Sequence, residues 1–356
     1  MKTYRLLFIL LVFIFLTGFG SGIQAAPESK QIDTAQKTYF QVFPDDGMDN
    51  LLKMLGGAKE RVYVKNYLLL LEEVIDTLSQ VKERGVDVKV MVEEHPFRSD
   101  ETGEKTLARL LERGIPAKSG SPDFALTHEK SIVIDGCALI LTGNLTYSAF
   151  HHNREFGYID RDPSDVREIV DCFNADWNRT AFAPERPSLV WSPVNSREKI
   201  NSVIKSAKQE LIVYAEEVND DEQIDLLIQS EKKGVQIRLL TPKPENMDNV
   251  TRLTGAGVMV RFPEKLYIHA KAMVADGTLG FTGSENISTS SLDRNRELGV
   301  LLKNPAVLSI IMDTFNRDWN SAPAQQSFFQ SCKAYDLINA VKLFVLSPFG
   351  SSPQDQ

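Results

Sequence analysis

The sequence predicts an α/β fold made of two similar halves packed as one body. Two observations carry this. Four blocks recur in the same order along the chain: Thr127–Gly136 matches Ile268–Gly277, Asn153–Gly157 matches Asn295–Gly299, Phe173–Asn178 matches Phe315–Asn320, and Arg84–Lys89 resembles Lys233–Arg238. The spacing is 141 or 142 residues for the first three and 149 for the last. That is too long for a solenoid and suits a duplicated unit. Each half also repeats one string of alternating helical and strand patterns, the mark of a layered α/β architecture.

The elements follow in order. Helical patterns over Met48–Lys59 and Arg197–Lys208 precede strands at Arg61–Asn66 and Glu210–Tyr214. Second helices, Leu71–Arg84 and Asp221–Lys233, lead to strands Val86–Glu93 and Val235–Leu240. Third helices, Gly103–Arg113 and about Asn246–Gly255, run into short strands. A strand carrying His-x-Lys and a hairpin partner come next, then last helices over Pro163–Trp177 and Pro305–Trp319. Two such halves are expected to pack sheet to sheet or edge to edge. The boundaries read as 1–26 for an export signal, 27–185 and 190–325 for the halves, and 326–356 for a tail without a counterpart. A proline-rich linker is expected near Pro184–Pro193.

Of the 356 residues, 42% are apolar and 25% charged, an ordinary globular mix. Lys2 and Arg5, the apolar run Leu6–Leu16 and the small pair Ala25-Ala26 read as a cleaved export signal; an uncleaved anchor is the alternative. The protein is therefore expected to be exported, secreted or periplasmic. A net charge of −8 argues against nonspecific nucleic-acid binding, which relies on displacing phosphate counterions with a cationic surface. Cys137, Cys172 and Cys332 fit no zinc spacing. Cys137 reads as a buried thiol, and pairing of Cys172 with Cys332 stays open. His151-His152 reads as a polar loop rather than a metal site, because adjacent residues of an extended chain face opposite sides.

The repeated block carries the chemistry. On a strand, His128 and Lys130 point the same way, as do His269 and Lys271. An imidazole beside an ammonium makes sense around an anion: the Lys binds phosphate oxygens and a neutral His attacks phosphorus. Asp135 and Asp276 fall at strand ends before Gly136 and Gly277, where a turn is expected. In Thr282-Gly-Ser-Glu-Asn-Ile287, Gly283 lets the backbone come close while Ser284 and Asn286 offer donors. Glu297 has the character of the third member of a triad, holding the far nitrogen of a histidine.

His-x-Lys-x4-Asp followed by Gly-Ser-x-Asn resembles the motif of the phospholipase D superfamily, and the resemblance runs through both repeats. It implies pseudo-twofold α/β/α halves with a shared central active site and a two-step reaction without metal or cofactor, through a phosphohistidine. Carried over, His128 is the nucleophile and His269 the general acid and base, with the swapped roles open. Lys130 and Lys271 bind the phosphoryl oxygens, as do Ser284 and Asn286. Glu155 and Glu297 orient the histidines, and Asp135 and Asp276 complete the catalytic motifs by shaping the site. The first copy departs from the pattern: Thr142-Gly-Asn-Leu-Thr146 puts Asn144 at the Ser position and Thr146 at the Asn position, both still polar.

Three functions remain after this reading. The first is a phospholipase D-type phosphodiesterase hydrolysing the head-group ester of glycerophospholipids, with head-group exchange if an alcohol replaces water. The second is an extracellular nuclease of the same superfamily. The third is a binding protein with a decayed site. The expected partner is a phospholipid, with peripheral contact to a membrane and no nucleic acid, and the expected state is a monomer.

Overall fold

The computed structural model describes residues 39–97 and 100–323. The export signal, Cys332 and the tail 326–356 lie outside them. The first half comprises β1 (Phe40–Phe43), α1 (Asp49–Gly56), β2 (Arg61–Asn66), α2 (Glu72–Glu83), β3 (Asp87–Val92), α3 (Asp100–Glu112), β4 (Ala117–Ser119), β5 (Lys130–Ile134), β6 (Cys137–Leu141), α4 (Tyr147–His151), β7 (Asn153–Asp160) and α5 (Pro163–Asn178). The second repeats it: β8 (Leu189–Ser192), α6 (Ser196–Ser206), β9 (Glu210–Tyr214), α7 (Asp221–Lys232), β10 (Gln236–Leu240), α8 (Asp248–Gly255), β11 (Met259–Arg261), β12 (Tyr267–Ile268), β13 (Ala272–Ala275), β14 (Leu279–Gly283), α9 (Thr289–Asp293), β15 (Glu297–Leu302) and α10 (Pro305–Ser321).

The local chemistry explains these elements. Helix α5 starts at Pro163 behind Asp162, whose carboxylate accepts the backbone N–H groups of Ser164 and Asp165. Helix α10 starts at Pro305 behind Asn304, which accepts from Ala306. Proline at the first helical position after an Asx cap is a strong start, since its missing N–H has no intrahelical role. Strands β5 and β13 are buried throughout, so Ile132–Ile134 and Ala272–Ala275 are unbroken apolar runs rather than alternating ones.

Each sheet is mixed and has the same order. The first runs β1-β7-β6-β5-β2-β3-β4 and the second β8-β15-β14-β13-β9-β10-β11. Strands β2, β3 and β4 are parallel, which requires the crossover helices α2 and α3; β5, β6, β7 and β1 add antiparallel neighbours. The halves pack sheet to sheet. One core fills the space between the sheets and contains Phe156, Val133 and Phe173 of the first half with Trp191, Tyr214 and Phe315 of the second. Each half keeps a further core on its outer side under its own helices.

One pairing crosses the boundary. Strand β12 of the second half joins the first sheet parallel to β7, with Tyr267 opposite Asn153 and Ile268 opposite Arg154. The reciprocal bridge joins Thr127 to Arg296. These two exchanges sit directly before His269 and His128.

Two expectations need correction. The linker does not extend to Pro193, because Leu189–Ser192 forms edge strand β8 paired with β15. Cys172 is a buried free thiol 3.5 Å from the Lys65 ammonium, and its open pairing with Cys332 falls on a residue outside the described ones. His151 ends a short helix instead of a loop, with its ring stacked on Tyr147 at 3.9 Å.

Candidate active site

Each histidine is carried to the seam by its own half and held there by the other. The His128 N–H donates to the Arg296 carbonyl at 3.0 Å, and the His269 N–H donates to the Arg154 carbonyl at 3.3 Å. The residue after each arginine is the glutamate of the Asn-Arg-Glu block. Glu297 Oε2 therefore lies 2.8 Å from His128 Nδ1, and Glu155 Oε1 lies 2.7 Å from His269 Nδ1. A carboxylate on Nδ1 keeps the proton there and leaves Nε2 for chemistry. Both glutamates are held in turn. Glu297 accepts from Ser291 at 2.5 Å and Asn295 at 3.0 Å, and Glu155 from Thr142 at 2.6 Å and Asn153 at 3.3 Å. Burial opposes ionisation of both, yet the facing imidazole and a nearby lysine outweigh it and hold both carboxyls below the usual range.

The expected His-x-Lys strands start later than predicted, since Lys130 opens β5, Lys271 directly precedes β13 and both histidines lie just outside the strands, yet each lysine reaches back to its histidine. Lys130 Nζ donates to the His128 carbonyl at 2.7 Å and sits 5.4 Å from the centre of the Tyr67 ring. Lys271 Nζ donates to the His269 carbonyl at 2.5 Å and to Glu216 Oε2 at 2.8 Å. Both are almost fully buried. Burial lowers Lys130 to about 7, against the pull of Glu297 and with help from Lys271. Burial also lowers His128, against the pull of Glu297, which favours the neutral, nucleophilic ring.

The lowered Lys130 gives a test by linkage. An anion bound at this lysine needs its protonated form, so above pH 7 each binding event must take up a proton. The affinity for tungstate or inorganic phosphate is expected to fall as pH rises from about 7 to 9, by up to about tenfold per unit for one linked proton. Calorimetry in buffers of different ionisation enthalpy reads that uptake; the absence of uptake at pH 8 would show Lys130 already charged.

Four assigned residues are placed differently from expectation. Asp135 and Asp276 do not join the catalytic groups. Five residues beyond the lysine, roughly 15 Å along the strand at the usual rise, each carboxylate caps the turn that enters the neighbouring strand. Asp135 accepts the N–H groups of Lys59, Glu60 and Arg61, and Asp276 those of Lys208, Gln209 and Glu210. Both have positive φ, 50° and 51°, so they are turn residues as well as acceptors. Ser284 is fully buried and stitches β14 to β15: its Oγ accepts the Leu298 N–H at 3.2 Å. Thr146 is the cap position of α4, as Ser288 is of α9.

That last match re-aligns the two copies. Leu145 bridges to Leu69 just as Ile287 bridges to Val218. Asn144 is thus the counterpart of Asn286, Thr142 of Ser284 and Gly143 of Glu285, for Thr142 Oγ1 accepts the Phe156 N–H as Ser284 Oγ accepts that of Leu298. Both asparagines leave a buried Oδ1 with no protein partner, a matched pair of amides at the site. The need for Gly283 is also different from the one expected. A Cβ there would lie 2.4 Å from Glu285 Oε2 and from the Gly299 backbone, so the neighbouring strand requires the glycine.

Sequence reading missed Glu216, Tyr67 and Glu285. The strand registers make Tyr67 and Glu216 equivalent, since Val62 faces Ile134 as Leu211 faces Ala275. They differ chemically, so a search for repeats passes over them. Tyr67 sets its ring edge-on against His128 at 4.8 Å, whereas Glu216 Oε2 stands 3.4 Å from His269 Nε2. Glu285 has both oxygens buried without protein partners, and burial followed by the Glu297 charge raises its carboxyl far above the usual range.

A cavity of about 690 Å³ opens at His269 between Leu68, Leu70, Leu71, Tyr147 and Tyr267. Three of its walls are unusually exposed for large apolar groups: Tyr147 at 61%, Tyr267 at 49% and Leu70 at 41%. Asn144 and Glu155 line its floor.

Comparison with known proteins agrees with this geometry. The family model described as "Cardiolipin synthase, PLD-like domain" matches twice, over residues 51–177 and 200–319. The chain belongs to the phospholipase D superfamily. It is 24% identical over 328 residues to the major cardiolipin synthase of Bacillus subtilis, covering 77% of this chain and 67% of that protein. It is 23% identical over 323 residues to a cardiolipin synthase of Oceanobacillus iheyensis, covering 76% and 66%. The chain thus spans about two thirds of the length of these relatives. Among solved structures, a phosphatidylserine synthase of Haemophilus influenzae has TM-score 0.65 at 13% identity over 87% of this chain and 95% of its own. A polyphosphate kinase of Porphyromonas gingivalis has TM-score 0.63 at 16% identity over 80% and 52%. These likenesses share the fold. The superfamily match supports phosphodiester chemistry of the phospholipase D type.

Proposed function

We propose that the chain is an exported phospholipase D-type enzyme that cleaves the head-group phosphodiester of glycerophospholipids, with water or a second alcohol as acceptor. Two histidines, each with Nδ1 held by a buried glutamate, support covalent catalysis at one phosphorus: one ring attacks while the other supplies the leaving alcohol with a proton. Lys130, Lys271, Asn144 and Asn286 converge as groups for the non-bridging oxygens. The observation that carries the lipid reading is the apolar mouth beside His269, since exposed Tyr147, Tyr267 and Leu70 suit acyl chains or a membrane surface better than a sugar–phosphate backbone. The acidic body supports it too. Transfer to an alcohol is favoured as a second outcome by the names of the relatives, which are synthases. Among the described residues no helix is long and apolar enough to cross a membrane.

The test uses the purified full chain in EDTA with vesicles of phosphatidylcholine, phosphatidylglycerol or cardiolipin, and with single- and double-stranded DNA. Free head group with phosphatidate is the expected product, joined by a new phospholipid when glycerol is in excess. Cleaved DNA beside untouched lipid would replace this reading with the nuclease. No turnover of any substrate would favour the decayed binding protein.

A further inference from the structure

The two halves are alike at the histidines, glutamates and lysines but not at the position that faces each reactive Nε2. We infer that Glu216 is a positioning residue that makes the histidines unequal, holding His269 as the proton donor and so leaving His128 as the nucleophile. The inference rests on the two-histidine phosphodiesterase chemistry proposed above and not on the lipid.

The contacts around the two rings support it. His269 has a carboxylate at each ring nitrogen, Glu155 at 2.7 Å from Nδ1 and Glu216 at 3.4 Å from Nε2. Each nitrogen thus has a carboxylate that can accept its proton, with the Lys271 ammonium also 3.2 Å from Nδ1. The 3.4 Å separation is long for a hydrogen bond, so the Nε2 proton is attracted but not committed, and it can turn to a leaving oxygen. Glu216 itself is fixed, bonded to Lys271 at 2.8 Å and to the Tyr267 hydroxyl at 3.3 Å. His128 meets the opposite environment. It has one carboxylate, on Nδ1, and a T-shaped contact with the Tyr67 ring where His269 has Glu216. Among the described residues no carboxylate pairs with its Nε2, which suits a ring whose lone pair there must attack.

The step balances as follows. His128 Nε2 gives its lone pair to phosphorus, the phosphorus–oxygen bond to the leaving alcohol breaks, and the His269 Nε2 proton passes to that oxygen. An acceptor hydroxyl then returns a proton to His269 as its oxygen attacks phosphorus, and the nitrogen–phosphorus bond to His128 breaks.

A residue that acts through the acid matters in proportion to how much the leaving group needs a proton. The test compares the full chain with Glu216→Gln on two methyl aryl phosphodiesters, one losing p-nitrophenol and the other the far more basic phenol. The variant is expected to lose about 10- to 100-fold on the phenyl ester and less than about threefold on the p-nitrophenyl ester, within the usual reach of general acid catalysis. Glu216→Asp, which keeps the charge, should recover part of the phenyl loss. Equal effects on both esters would overturn the inference, because a structural role or simple occupation of the phosphate position moves both alike. Peptide mapping of the covalent intermediate from the unaltered chain gives a second check that needs no variant: a phosphoryl group on His128 is expected, and one on His269 overturns the inference. The esters carry no lipid, so an active ester series beside an inert phospholipid panel refutes the lipid reading alone.

Discussion

His128→Ala and His269→Ala should each lower phosphodiester turnover by about 10³-fold or more while leaving the fold intact. The scale is that of losing a covalent nucleophile or its acid partner. Both rings are largely buried at one seam, 13% and 12% exposed, and each is tied to the opposite half through backbone and glutamate. The double variant should be little worse than either single one, because residues that act as a unit are not additive. Steady-state rates on phospholipid vesicles or on the p-nitrophenyl ester measure this, and circular dichroism checks the fold. Near-normal turnover by either single variant would separate the two halves and end the shared-site reading.

What the sequence made legible follows from how local each feature is. The helices and parallel strands are set by apolar periods and caps within ten or so residues, so Arg61–Asn66, Glu72–Glu83 and Pro163–Asn178 lie close to where the pattern put them. The two-residue spacing did bring Lys130 to His128 and Lys271 to His269, although the strands begin only at Lys130 and Ala272. The orienting glutamates were recognisable as a type, but which histidine each serves was not. That depends on the exchange of β12 and Thr127 between halves, a contact across more than a hundred residues with no local trace. Edge strands β1 and β8 are too short to show a period. The Asp-Gly turns were legible, but what the motif aspartates hold was not, because the backbone N–H groups that Asp135 and Asp276 accept lie some 70 residues earlier. Glu216 was invisible for the opposite reason. Duplication highlights what the halves share, and this residue matters where they differ.

The same duplication supplies the latch between halves, and breaking it should be the costliest change to stability. The arginine of each Asn-Arg-Glu block reaches the aspartate of the Phe-Asn-x-Asp-Trp-Asn helix in the other half: Arg154 to Asp318, and Arg296 to Asp176. Arg154 is the better satisfied. Its Nε and Nη2 bind the two Asp318 oxygens at 2.7 and 2.9 Å, and its Nη1 binds the Phe43 carbonyl at 2.8 Å. Arg296, by contrast, leaves Nε and Nη1 buried without a partner. Arg154→Ala removes one member of a buried pair and leaves the Asp318 carboxylate with the Tyr214 hydroxyl at 2.7 Å as its remaining side-chain donor. Such an uncompensated charge typically costs about 3–5 kcal/mol, which for a body of this size lowers Tm by roughly 10 °C. Asp318→Asn, which keeps an acceptor for Arg154 and removes the charge, should cost less. Activity should fall with stability in Arg154→Ala, because the Arg154 carbonyl also receives the His269 and Ala270 N–H groups at 3.3 and 2.8 Å. Denaturant unfolding of the full chain reads the first effect and ester turnover the second. A loss under about 1 kcal/mol, the range of an exposed pair, would mean that the central apolar core holds the halves together without the latch.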